Sequence, residues 1–188
     1  MTKATKVLGI LLSAVFIFSC KRGLERNGYI KYVHDTENGL KKIVTMGNWE
    51  YMVQYKPYDY IILLENRGKL KISEIEKRKE SLKGTAWFNI SFRLSDGHVS
   101  PLRYNLTSRE EYDDRLNYFL NQASRNIRLI YNKQDTLFPI GYLFENNYNL
   151  TPQETMVVGF DLPNKESEST GDMLLCYHDA IFKNGILK

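Results

Sequence analysis

Ala86-Trp87-Phe88-Asn89-Ile90-Ser91-Phe92-Arg93-Leu94, residues 86–94, is the stretch on which the fold turns. Its period is two. Ala86, Phe88, Ile90, Phe92 and Leu94 fall on one face, and Trp87, Asn89, Ser91 and Arg93 on the other, as a strand with one face on a core requires. Asp96-Gly97 supplies a turn directly after it. A clean apolar/polar alternation belongs to antiparallel sheets, whereas strands of parallel sheets are covered on both faces and read as unbroken apolar runs.

Upstream, Trp49, Tyr51, Val53 and Tyr55 alternate with Glu50, Met52, Gln54 and Lys56, which predicts a partner strand with an aromatic core face. Leu40 to Thr45 reads as a further strand, punctuated by Gly47-Asn48, and Tyr29 to His34 as a first one, followed by the turn-rich Asp35-Thr36-Glu37-Asn38-Gly39. Pro57 interrupts the pattern, and Tyr58 to Glu65 resumes as an apolar strand, so residues 29–65 read as a β-meander.

Helices are announced by their caps. Ser73-Glu74-Ile75-Glu76 is a capping box opening a short helix that Gly84 can close. Ser108-Arg109-Glu110-Glu111 is a second, and Tyr112, Leu116, Phe119, Leu120, Ala123, Ile127 and Ile130 continue it as an apolar stripe, predicting a main helix to about Tyr131. The remainder is β-like: Thr136 to Phe144, whose Pro139 and Gly141 favour an edge strand or bulge; Thr155 to Leu162; and Met173 to His178, a final buried strand after the polar loop 163–171. Segregated strands and helices predict an α+β fold, a mainly antiparallel sheet with one long amphipathic helix and one short helix packed on it. A β-sandwich with a docked helix is the alternative.

The amino terminus carries an address. Lys3 and Lys6 precede an uncharged, mostly apolar stretch from Val7 to Phe18, the length of a signal h-region and too short to span a bilayer before Lys21 and Arg22 stop it. Ser19 supplies a small residue before Cys20. Ile17-Phe18-Ser19-Cys20 resembles the lipobox of bacterial lipoproteins, with Phe18 where small residues are commoner and Ile17 where Leu is usual. The resemblance implies cleavage before Cys20 and lipidation of that cysteine by a thioether-linked diacylglycerol and an N-acyl chain. The expected organisation is then a signal peptide over 1–19, a lipidated Cys20 and short tether over 20–28, and one globular domain over 29–188. The absence of an acidic residue after Cys20 favours the outer membrane, facing the periplasm. The segment Phe138-Pro139-Ile140-Gly141-Tyr142-Leu143-Phe144, with the following residues to Pro152, is similar to segments of uncharacterised bacterial lipoproteins.

Composition narrows the function. The chain has 188 residues and a formal charge of +4, which falls to +2 without Lys3 and Lys6, and its basic residues are interspersed with acidic ones rather than gathered on a nucleic-acid-binding face. Of two cysteines, acylation of Cys20 leaves Cys176 without a partner, and its apolar neighbours place it in the core. Three scattered histidines, without HxxxH, HExxH or paired cysteines, give no metal site, and no GxSxG elbow or phosphate-binding glycine loop is present. The acids Glu110, Glu111, Asp113 and Asp114 suit the first turns of a helix and need no acid–base chemistry to explain them.

Aromatic residues remain as contact candidates: Trp87, which lies opposite the apolar face of its strand, together with Tyr58, Tyr60 and Trp49. For Trp49, Tyr51 and Tyr55 as a group, core packing is the competing expectation. These features together predict a non-enzymatic, lipid-anchored binding or accessory module, with the membrane and an envelope protein complex as partners and no cofactor beyond the lipid on Cys20. A lipoprotein that binds carbohydrate or another small ligand is the alternative, and an envelope hydrolase with groups converging from distant loops a third.

Overall fold

The residues described by the computed structural model are 26–66, 71–148, 150–163 and 171–188; the expected signal segment, Cys20 and most of the tether lie outside them. Among the described residues the fold is α+β and sheet-dominated. In chain order the elements are α1 (Arg26–His34), β1 (Lys41–Met46), β2 (Trp49–Lys56), α2 (Tyr58–Glu65), α3 (Ile72–Leu82), β3 (Thr85–Leu94), α4 (Arg109–Asn121), β4 (Ile127–Tyr131), β5 (Asp135–Leu137), β6 (Gly141–Glu145), β7 (Gln153–Asp161), β8 (Met173–Asp179) and β9 (Gly185–Leu187).

Strand β3 is central, as its alternation requires. It pairs with β2 through Tyr51 opposite Phe92 and Tyr55 opposite Phe88, and with β7 through Ile90 opposite Met156 and Phe88 opposite Val158. The order of this five-stranded sheet is β1-β2-β3-β7-β6, and a second sheet of four strands runs β5-β4-β8-β9, with every pairing antiparallel. One core joins them. Ile90, Phe92, Met156, Val158 and Phe160 of the first sheet and Ile127, Leu129 and Tyr177 of the second all lie within it and are buried. At one end α4 inserts Phe119, fully buried, with its ring 5.1 Å from Phe92 and 5.3 Å from Phe144.

Four expected elements take another form. Tyr29 to His34 is helical: Tyr29, Tyr32 and Val33 also stand at helical spacing, Val33 is fully buried, and the rings of Tyr29 and Tyr32 stack at 6.5 Å. Tyr58 to Glu65 is helix as well, begun by Pro57 and Asp59. Short apolar runs fit either period, and here packing on α3 decides, with Glu65 held by the guanidinium of Arg78 at 2.7 and 2.8 Å. The meander over 29–65 is therefore only the β1–β2 hairpin, turning at Gly47, whose φ is +57°.

Helix α4 begins where its cap predicts, with the Ser108 hydroxyl accepting from the Glu111 amide, but it ends at Asn121, well before Tyr131. Ile127 and Ile130 extend the helical stripe, but Ile127, Leu129 and Tyr131 obey period two. As a strand they bury three side chains against the first sheet while Arg128 and Ile130 stay partly exposed. The shorter capping box is displaced too: α3 opens at Ile72, and Glu74 accepts from the Lys71 amide at 2.8 Å.

Residues 136–144 divide between the sheets. Pro139 lies between β5 and β6, where its missing N–H costs no ladder bond, and both strands are sheet edges, as Pro139 and Gly141 predict. Strand β8 is not the last, since β9 pairs beyond it, and Cys176 stands on the side of β8 opposite Tyr177, only partly buried rather than in the core.

Candidate functional site: a cleft between the two sheets

The sheets are wedged apart at one end and open at the other. Phe119 and Phe182 fill the space beneath Phe92 and Trp49, with Trp49 and Phe182 stacked at 4.1 Å. At the opposite end, beneath Phe88 and Ile90, no helix among the described residues inserts, and a cleft of about 190 Å³ remains between the sheets. Its walls are apolar: Val44 and Val53 from one sheet, Leu175 and Leu187 from the other, with Phe88 and Ile90 as floor. Register explains this lining. Val44 pairs with Tyr51 and Lys42 with Val53, so β1 turns both Lys42 and Val44 toward the second sheet, where Tyr177 pairs with Leu187.

Polar groups in the depth of the cleft are already engaged. The Tyr51 hydroxyl donates to Asp179 Oδ2 at 2.5 Å and accepts from Asn184 Nδ2 at 2.6 Å. Asn184 also donates to Asp179 Oδ2 at 2.9 Å, and the Phe182 amide to Oδ1 at 3.0 Å, so a buried aspartate is held by three donors. Burial first, then the bond to Asp179, pushes the Tyr51 phenol far above its ordinary value. Tyr177 is pushed up for the same first reason. Lys42 and Lys188 also line the cleft, and Lys42 Nζ donates to a main-chain oxygen of Lys188 at 3.2 Å.

Another buried acid sits apart from the cleft. Glu154 accepts from the Ser100 hydroxyl at 2.7 Å, and its second oxygen has no hydrogen-bond partner among the described residues. Burial raises its pKa, with the Ser100 bond opposing.

The aromatic candidates separate on burial. Trp49 is 6% exposed and Tyr60 is 4% exposed, its hydroxyl 2.7 Å from His34 Nε2, so both rings are packed inside the fold. Tyr58 is half-buried in the first turn of α2. Trp87 is also half-buried: its ring lies along its own sheet, over Gly159 and Gly141, which follow it in one cross-strand row.

A Cβ built on Gly159 would stand 2.8 Å from three indole carbons, and one on Gly141 2.9 Å from one, so both glycines are floor for Trp87. The indole in turn covers strand backbone that lacks side chains of its own. Gly159→Ala should therefore lift the ring and cost about 1–3 kcal/mol, measured by urea denaturation, the usual range for an overpacked site. A loss under about 0.5 kcal/mol would show that the indole moves freely. This row binds Trp87 to structure on one side and leaves only its outer side for contact.

Sequence reading did not find the cleft. Its lining comes from five strands, one of them only three residues long, and no spacing in the chain connects Val44 to Leu187. Nor did it anticipate that Phe138, Ile140, Leu143, Tyr148 and Leu150 would all be more than half exposed. Among the described residues no three His, Cys, Asp or Glu side chains converge on a metal position, and no helix is long and apolar enough to cross a membrane.

No family model and no curated protein matches the chain. Among solved structures it is similar to a protein of unknown function from Burkholderia pseudomallei K96243, at 10% identity and a TM-score of 0.38, over 86% of this chain and 82% of that one.

Proposed function

We propose that this chain is a lipid-anchored, non-enzymatic binding module of the bacterial cell envelope, held at the membrane through Cys20, most simply the outer membrane facing the periplasm, with the inter-sheet cleft as its ligand site. The cleft carries the binding part of the reading. A concave, mostly apolar space between packed layers is where small ligands are held, and an apolar cavity of about 150 Å³ is enough to bind benzene. Its engaged deep polar groups favour an apolar ligand over a sugar, whose hydroxyls would go unpaired. The anchor rests on the resemblance of Ile17–Cys20 to a lipobox, and two or more acyl chains provide a stable attachment where one provides a marginal one.

Two measurements test it. Titration of 1-octanol into the full chain, followed by methyl NMR, should shift Val44, Val53, Ile90, Leu175 and Leu187, and Val53→Trp should abolish those shifts by filling the cleft. Shifts scattered over the surface, or none at millimolar octanol, would overturn the binding site. For the anchor, Cys20→Ala should release the protein from the membrane fraction or block its processing, and unchanged fractionation would overturn it.

A second reading, an accessory subunit of an envelope complex, is favoured by the exposed apolar side chains around the free edge of β6. Copurification after mild detergent extraction tests that reading. A stoichiometric partner lost on Leu143→Lys supports it, and a solitary protein counts against it.

A further inference from the structure

We infer that the end of the domain formed by the last turn of α2 and the first turn of α3 lies on the phospholipid surface, with Ile72 seated among the headgroups. This adds an orientation to the lipid anchor proposed above and rests on that anchor.

Chain length decides which end meets the membrane. Arg26, the first described residue, opens α1, and the six Cα steps from Cys20 to Arg26 span at most about 22 Å. A domain of this length has a radius of gyration of about 15 Å and is roughly 40 Å across, nearly twice that reach. The surface around Arg26 therefore stays nearest the bilayer. Arg26 is itself fixed on α2, where its guanidinium donates to the carbonyls of Leu63 and Asn66 at 3.4 and 3.5 Å. Ile72, the first residue of α3, follows Asn66 after a short connection, and the Glu65–Arg78 pair holds α3 to the end of α2.

The side chains at this end suit a lipid surface. Ile72 is 80% exposed and Leu64 is 42% exposed, so two branched apolar groups face solvent there. Neither Ile72 nor the preceding Lys71 serves the helix they open, since Ile72 buries little and a cation is disfavoured at a helix N-terminus. Across residues 21–26 and 71–74 the sequence carries Lys21, Arg22, Arg26 and Lys71 against Glu25 and Glu74, a positive balance that favours anionic lipid. Glu65 is taken up by Arg78. A short tether also gives this surface a high effective concentration of lipid, so a contact too weak to recruit a free protein still forms.

Exposed apolar residues at the far end of the first sheet provide the contrast. Leu150, 85% exposed, follows the end of β6 where Glu145 pairs with Thr155 and Thr155 with Ser91. Helices α2 and α3 leave the sheet at its other end, where Lys56 pairs with Trp87. Apolar exposure alone does not choose between the two ends; the tether does.

The test uses the full chain processed in cells, extracted from the membrane fraction and reconstituted into phosphatidylcholine vesicles containing phosphatidylglycerol, so that Cys20 carries its lipid. Cys176→Ser removes the other thiol, and Ile72→Cys or Leu150→Cys, both at exposed positions that do not threaten folding, takes a nitrobenzoxadiazole label. Fluorescence from the label at position 72 should shift to shorter wavelength and be lost to nitroxide-labelled lipid, at a depth of about 5–10 Å in the headgroup boundary. The label at position 150 should do neither. Flotation with the vesicles reads the anchor separately. If the protein floats and the label at position 72 stays in water, or both labels enter lipid alike, the orientation is wrong and the anchor stands. If the protein does not float, the anchor fails and the orientation with it.

Discussion

Phe119→Ala is expected to cost about 3–5 kcal/mol in urea denaturation, the largest loss of any single truncation in the protein. Phe119 is the point at which the two sheets and α4 meet: fully buried, with its ring 5.1 Å from Phe92, 5.3 Å from Phe144 and 6.1 Å from Phe182. Truncation removes the apolar transfer energy of the ring and leaves a cavity that three elements would have to move together to close. The Tyr142 hydroxyl also donates to the Phe119 carbonyl at 2.5 Å, which ties the edge strand β6 to the end of α4 and limits collapse. Phe119→Leu should cost much less, about 1–1.5 kcal/mol, since most of the volume is kept. A cost below about 1 kcal/mol for the alanine variant would mean that α4 is not the wedge of this core.

Asp179→Ala should cost about 2–4 kcal/mol, by a different mechanism. The side chain is 1% exposed and accepts from the Tyr51 hydroxyl, the Asn184 amide and the Phe182 backbone. Removing it strands these donors in a region with little water, and an orphaned buried donor costs more than a formed bond contributes. Tyr51→Phe alone should cost about 0.5–1.5 kcal/mol, because Asp179 keeps Asn184 and the Phe182 amide. In the double variant the two losses should not add, and denaturation of all four proteins would give the coupling directly. Strict additivity would show that the Tyr51–Asp179 bond contributes nothing. Tyr51 carries this network to the wall of the cleft, so Asp179→Ala should loosen that wall and lower the affinity of the cleft for apolar probes.

Much of this fold was legible residue by residue. The alternation over 86–94 identified the central strand, because period two persists there over nine residues and fits no helix. The cap at Ser108 located the start of α4 because its side chain meets a backbone donor within one turn, an interaction contained in local sequence. What failed was decided at a distance. Tyr29–His34 and Tyr58–Glu65 are too short for their periods to be distinguished, and Ile127–Tyr131 satisfies both, so burial against other elements settled all three. The sequence-based expectation of a sheet with packed helices and its sandwich alternative each held part of the answer, since two sheets share one core and α4 docks at one end.

The site was less legible than the fold, for a physical reason. A cleft between sheets is the space their side chains fail to fill, and its lining depends on how far apart the sheets stand. Trp49 and Tyr60 stand out in sequence as contact candidates and are buried in the structure. Trp87 is held by two glycines more than fifty residues downstream, Gly141 and Gly159, whose isolation in sequence gave no sign of a shared row.

The inter-sheet cleft as an occupied binding site is the claim on which the functional reading stands. Crystals of the protein grown with bromobenzene, a small neutral apolar probe, test it most directly through the anomalous signal of bromine. The expected result is one strong bromine peak between Ile90 and Leu175, absent in Val53→Trp. Bromine found only on the exposed apolar side chains near β6, with the cleft empty, would contradict it.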